Sequence, residues 1–383
     1  MIYLDNAATT WPKPREVIDQ VFSAAASPFG NPGRSGHRLS RDAAYAVFSA
    51  RETLCELLGM TKSENLVFTA GATAALNLAI CGLAEAFLQK GVVPLVLTSV
   101  FEHNSVLRPL FALERKGKIR LKILAPDHTG AFPLSGLLCP VPDFCVFTHR
   151  SNVTGRSFAP HTFCPVLKHN GTVIVIDAAQ GLGGAGCTLA ETGADILCAP
   201  SHKGLLGIMG AGLMAFSESC PLYPEAILSG GSGVDTFQPF MPRHLPERLE
   251  AGTLPLPAIL SMQAGAKFVM KTGVEEISAR EREGKKILCE GIRNLPGFLV
   301  YEPEMKDGPL LINHKSILPE RLAEQLDENG VMVRAGFHCA PLAHVFLGTE
   351  KHGGVRLSPG PFTTPRQAHQ TVEILWHITR ETR

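Results

Sequence analysis

From residue 63 onward, short apolar runs alternate with segments whose hydrophobic residues recur at helical spacing. The runs at 66–69, 94–99, 120–124, 144–148, 172–176, 196–198 and 212–216 are strand-sized. Between them, 73–88, 105–115 and 160–168 read as helices. Strands covered on both faces show continuous apolar runs, and regular strand–helix alternation builds a mostly parallel sheet with helices on both sides. The pattern changes after the Gly/Pro-rich stretch 229–257. Helices are predicted at 258–271 and 274–293, then a strand–helix–strand–helix series. A boundary near residue 255 gives a large domain over 1–255 and a smaller α+β domain over 256–383, with residues 1–14 expected to pack with the smaller one.

Composition narrows the function. The 383 residues are 45% hydrophobic and 19% charged, ordinary for a chain with a sizeable core, and a formal net charge of +1 gives no reason to expect a nucleic-acid partner. The opening MIYLDNAATTWPKP has no apolar signal-like region, and the apolar runs fall short of the roughly 18 residues that span a bilayer. No membrane association is expected, and a soluble cytoplasmic protein follows. None of the ten cysteines forms a C-x-x-C pair, nine read as buried reduced thiols, and the 14 histidines lack zinc-finger spacing, so no metal is expected.

In open parallel sheets ligands bind beyond the carboxyl ends of the strands, and four polar sites fall there. The segment 69–75, TAGATAA, ends a strand and opens a helix; its small residues let backbone N–H groups approach an anion, with the Thr73 hydroxyl as a further donor. It reads equally as a well-made helix start. Asp177 follows four β-branched residues and must be paired, by a protonated ring nitrogen or by a neighbouring loop. Lys203, in PSHKGLLG, sits in an apolar setting that favours the neutral amine; an exposed loop lysine is the alternative. Cys339, in VRAGFHCAP, lies beside His338 and near Arg334, an electropositive setting for a thiolate; a buried inert thiol is the alternative.

Together these sites resemble the class V aminotransferase, or cysteine desulfurase, family of fold-type I pyridoxal-phosphate enzymes. The resemblance runs nearly end to end, through YLDNAATT, NPGRSGH at 31–37, TAGATAALN, FEHNS at 101–105, SNVTG at 151–155, VIDAAQ, HKG, EAGT at 250–253, RAGFHCA and VRLSPG at 355–360. It implies a mostly parallel seven-stranded sheet and pyridoxal 5'-phosphate as cofactor. Lys203 would attach the cofactor, Asp177 would pair with its ring nitrogen, His103 would stack on the ring and Gln180 would bond the phenolic oxygen beside Asn152. Ala72, Thr73, Ser201 and His202 would hold the phosphate, with Thr253 reaching it from a second subunit of a homodimer. Arg356, with Asn152, would take the substrate carboxylate, Arg34 being the next candidate, and Cys339 would receive the sulfur. The implied reaction turns L-cysteine into L-alanine and passes sulfur from a Cys339 persulfide to an acceptor protein or a reductant. Alternatives are a selenocysteine lyase acting on L-selenocysteine, another C–S lyase, or a transaminase, which would have no use for Cys339. A non-catalytic scaffold is the reading from another class; intact Lys203, Asp177, His103 and Cys339 argue against it. The chain departs from the family pattern at Pro200, where relatives commonly carry Ser or Thr, at Ser201, a position usually Gly, and at Phe337.

Overall fold

The computed structural model describes residues 1–127, 131–301 and 307–381. Its strands are β1 (Ile2–Tyr3), β2 (Leu66–Thr69), β3 (Leu95–Ser99), β4 (Arg120–Leu124), β5 (Phe144–Thr148), β6 (Val173–Asp177), β7 (Ile196–Pro200), β8 (Gly212–Phe216), β9 (Phe298–Val300), β10 (Leu310–His314), β11 (Val331–Met332), β12 (Arg334–Gly336) and β13 (Gly354–Leu357). Seven form one sheet in the order β2-β8-β7-β6-β5-β3-β4, as the resemblance implies, with β8 alone running against the others. Its inner strands are buried along their whole length, which explains their unbroken apolar sequence.

Each face carries a core. On one, Leu76, Ala79, Ile80 and Leu83 of helix Ala72–Gln89 pack on Val67, Val146, Val175 and Met214. That helix is long and apolar enough, by composition alone, to cross a membrane, which the run-length reading did not register. Its buried stripe makes it a core helix here. On the other face, Leu54 and Leu58 of helix Arg38–Leu58 join Phe147, Ile176, Leu197 and Leu213. Ile259 and Met262 of helix Leu256–Thr272 belong to that same core, so the chain still packs on the large sheet beyond residue 255.

A second, antiparallel sheet has the order β12-β13-β10-β9, and its core includes Leu288, Ile292 and Leu375 from helices Val274–Arg293 and Pro365–Glu381. Residues at the start of the chain join this unit. β1 pairs in parallel with β11, Leu4 lies in the same core, and Asp5 bridges to Ser358. Residues 160–168, expected as one helix, form a 3-10 turn at Pro160–Thr162 followed by helix Cys164–His169, each with a proline in its first two positions. Proline fits a helix start and breaks a helix interior.

Candidate active site

The carboxyl ends of β2, β3, β5, β6 and β7 open into one cavity of about 730 Å³. Nine of the residues singled out in the sequence line it: Ala72, Thr73, His103, Asn152, Asp177, Gln180, His202, Lys203 and Arg356.

The floor suits an anion. Gly71 caps helix Ala72–Gln89 at φ 141°, and no side chain caps the first turn, so its N–H groups lack partners within the helix. A Cβ on Gly212 would meet Gly71 at 2.7 Å, so two backbones approach as only glycine allows. Thr73 Oγ1 lies 2.9 Å from Ser105 Oγ, which lies 2.7 Å from His103 Nδ1. The buried Nδ1 of His202 has no hydrogen-bond partner. Helix dipole, N–H groups and hydroxyl together favour a phosphate-like ligand.

His103 is the N-cap of helix Asn104–Arg115; its Nδ1 accepts from Ser105 N at 3.0 Å, which leaves Nε2 to carry the proton of the neutral ring. Burial and the nearby cations Lys203, Arg334 and Arg356 hold its pKa down at about 4. Asp177 accepts from Ala179 N at 2.9 Å. Burial raises its pKa, against the pull of that hydrogen bond and of Lys203. Lys203 is lowered to about 8, first by burial, with Arg356 and Arg334 pushing the same way and Asp177 opposing. Its loop is tied down from the far side: Thr10 Oγ1 donates to Lys203 O at 3.1 Å, and Thr10 N and Lys13 Nζ donate to His202 O at 3.0 and 3.1 Å.

Arg356 is 1% exposed. It donates to Asn152 O at 3.0 Å and to Asp5 Oδ1 at 2.6 Å, while its buried Nε has no partner. Asn152 Nδ2 in turn donates to His338 O at 2.6 Å. Cys339 stands beside the cavity, flanked by His338 and Arg334, which line it. Arg334 Nη2 reaches Cys339 Sγ at 3.8 Å, and Asn104 N donates to Cys339 O at 2.7 Å.

Ser201 and Thr253 do not line this cavity. Ser201 is fully buried and does not line the cavity; its Oγ has no partner and points at Gly207, where a Cβ would sit 2.1 Å away. Pro200, the last residue of β7, lines the cavity, whereas Ser201 opens the turn that follows and is buried away from it. Thr253 is exposed and meets Asn31 Nδ2 at 3.3 Å, outside the cavity of its own chain. Arg34, the reserve carboxylate site, lies with it and donates to Gly231 O and Gly252 O. Arg334 is the second arginine that reaches the cavity. Asp5 and Ser105 were not singled out in the sequence; both sit inside motifs, YLDNAATT and FEHNS, that could have flagged them.

The chain is similar to known proteins along nearly its whole length. A protein of Pyrococcus abyssi named "probable cysteine desulfurase" is 27% identical over 389 residues, 100% of this chain and 95% of its own. One of the same name from Aeropyrum pernix is 29% identical over 90% of this chain and 86% of its own. The apo structure of a cysteine desulfurase from Thermococcus onnurineus NA1 superposes with a TM-score of 0.90 at 26% identity, covering 99% of this chain and 95% of that one. The family model described as aminotransferase class-V matches residues 2–370, which take in both sheets and every cavity-lining residue named above. With the sequence match running over nearly the whole chain and the fold in agreement, this protein belongs to the class-V aminotransferase family.

Proposed function

We propose that the protein is a pyridoxal-phosphate-dependent cysteine desulfurase that converts L-cysteine into L-alanine and leaves the sulfur on Cys339. The observation that carries this reading is a half-buried lysine of lowered pKa sharing one cavity with a strand-end aspartate, beside a cysteine held next to a guanidinium. Pyridoxal phosphate, when bound, supplies an electron sink for charge developing at the substrate Cα.

The first turn at Ala72 and Thr73, with His202, would hold its phosphate, and Asp177 its ring nitrogen. His103 would cover the ring face, and Gln180, whose Nε2 is already used on Ala7 O at 2.8 Å, would reach the phenolic oxygen with its remaining polar capacity. Ser201 has no part in this set. Lys203 would attach the cofactor and, once free, would carry a proton to and from the substrate Cα. A lysine at about 8 does this near neutral pH, where an ordinary lysine stays protonated. Arg356 and Asn152 would orient the substrate carboxylate, with Asp5 holding the guanidinium in place.

Cys339 thiolate attacks the substrate sulfur: a new S–S bond forms, the C–S bond breaks, its electron pair stays on the carbon, and a proton completes the methyl group of alanine. Sulfur is oxidised and carbon reduced within one exchange, so no external oxidant enters. The persulfide then passes to an acceptor protein or a reductant.

Two copies associating would bring Thr253 to the phosphate of the partner, and the exposed Phe237 and Phe240 of the neighbouring loop offer apolar surface to cover. Buried thiols such as Cys145, Cys187 and Cys198, held outside any disulfide, suit a reducing cytoplasm. We place the division between the two units after helix Leu256–Thr272, which packs on the large sheet, with residues 2–5 belonging to the smaller unit.

The deciding experiment is Cys339→Ala assayed for alanine release from L-cysteine and from L-selenocysteine. Alanine from L-cysteine should nearly cease while cofactor absorbance persists. Activity left on L-selenocysteine alone fits, because its C–Se bond is weaker. Full turnover of L-cysteine would return Cys339 to an ordinary loop cysteine.

A further inference from the structure

Behind the cysteine loop runs a row of buried polar side chains that none of the steps above uses. His338 and Cys339 both have positive φ, 50° and 56°, a region that residues with side chains occupy only where their surroundings enforce it. Part of the enforcement is on the carbonyls, which accept from Asn152 and Asn104. The rest is on the His338 ring. Its Nε2 lies 3.0 Å from Arg334 O and its Nδ1 lies 3.4 Å from His344 Nε2, while His344 Nδ1 lies 2.7 Å from Thr349 Oγ1. The two imidazoles stack at 5.6 Å between centroids.

The proton positions follow from the end of the row. A backbone carbonyl only accepts, so His338 Nε2 carries the hydrogen toward Arg334 O, and Nδ1 of the neutral ring is an acceptor. His344 must then donate through Nε2, and its own Nδ1 accepts from the Thr349 hydroxyl at 2.7 Å, the nearer of that hydroxyl's two acceptors, since His344 O lies at 3.3 Å. Both rings are neutral in the folded protein: burial lowers His338 to about 3, with the charge of Arg356 adding to it, and lowers His344 to about 4. His344 is fully buried, Thr349 nearly so, and neither lines the cavity.

We propose that Thr349 and His344 are positioning residues for sulfur transfer: the hydroxyl fixes the His344 tautomer, His344 fixes the His338 ring, and that ring holds the left-handed turn presenting Cys339 to Arg334. This rests on Cys339 being the sulfur acceptor. Because Thr349 and His344 lie behind the loop and outside the cavity, losing them leaves Lys203, Asp177 and Arg356 in place and displaces the turn that carries the nucleophile.

Thr349→Val keeps the shape and removes the hydroxyl; Thr349→Ser keeps the hydroxyl. On the purified holoenzyme, Thr349→Val should lower kcat about tenfold or more, as small misplacements of reacting groups do, with the KM for L-cysteine unchanged. Thr349→Ser should restore kcat, and His344→Phe, which deletes both ring nitrogens, should repeat the loss. The rate at which iodoacetamide alkylates Cys339, resolved by peptide mass, should depart from wild type in Thr349→Val and His344→Phe and match it in Thr349→Ser. Wild-type kcat and alkylation in the valine and phenylalanine variants, or a serine variant as impaired as valine, overturns the proposal. Full alanine release by Cys339→Ala refutes the acceptor reading separately, since the alkylation comparison still reports whether the row holds the loop.

Discussion

The lowered pKa of Lys203 has a consequence that can be read without substrate. Covalent attachment of pyridoxal phosphate requires the neutral amine. With a pKa of about 8, about a quarter of the Lys203 amines are neutral at pH 7.5, against roughly one in a thousand for a lysine at its usual value. The buried site thus gives roughly a two-hundredfold larger reactive fraction. The assay is reconstitution: cofactor-free protein is mixed with pyridoxal phosphate, and the rate of covalent attachment is followed by absorbance from pH 6 to 10. The rate should climb with pH and level off above about 8. Asp177→Asn tests the cause, because the aspartate opposes the lowering. Removing its charge should carry the inflection to lower pH, even if weaker binding reduces every rate by a common factor. A wild-type rate still rising steeply at pH 10 would refute the lowered pKa of Lys203, and an inflection that moves upward in Asp177→Asn would refute the assigned role of the aspartate.

Two further outcomes follow from particular contacts. Arg356→Ala removes two charge-assisted bonds to the substrate carboxylate, about 3 kcal/mol, so the KM for L-cysteine should rise roughly a hundredfold; an unchanged KM transfers the carboxylate to Arg334, the other arginine of the cavity. His149 is buried with Nδ1 unpartnered, and burial, aided by Arg150, holds its pKa at about 4. Above pH 6.5 it is neutral whether the chain is folded or not and has no effect on stability. Below 6.5 the unfolded chain takes up the proton first, so stability is lost progressively down to about pH 4, by about 3 kcal/mol at most. Urea unfolding of His149→Gln at pH 7.5 and 5 should show a smaller drop than wild type, and equal drops would mean that His149 titrates normally.

The large sheet was legible because strands covered on both faces need unbroken apolar sequence, and the segments from Leu66 to Phe216 supply it. The cavity was legible for the same reason, since polar residues that interrupt such runs collect at the strand ends. Ser201 shows how far that reasoning reaches: it sits where the strand gives way to a turn, and its hydroxyl packs against Gly207 instead of facing the cavity. Composition marks residue 255, where the Gly/Pro-rich stretch ends, while packing on the large sheet continues through Ala266. The Asp5–Arg356 pair and the row from His338 to Thr349 were not legible. Each depends on side chains that meet only after folding, the first across 351 positions and the second on a turn whose left-handed backbone no residue type announces.

Asn6 donates to Ser358 O across 352 positions, and the strap that contains it also holds the Lys203 loop and Gln180. Residues 2–10 are synthesised long before their partners in β11 and β13. Contacts of such separation form late, because closing the intervening loop is entropically costly before they can contribute. A nascent chain that already contains Asp177 and Lys203 therefore has no closed pocket in which to use them. Uptake of pyridoxal phosphate would thereby wait until Ser358 has been made, and chains truncated before residue 358 should be refused the cofactor rather than loaded in an unfinished state.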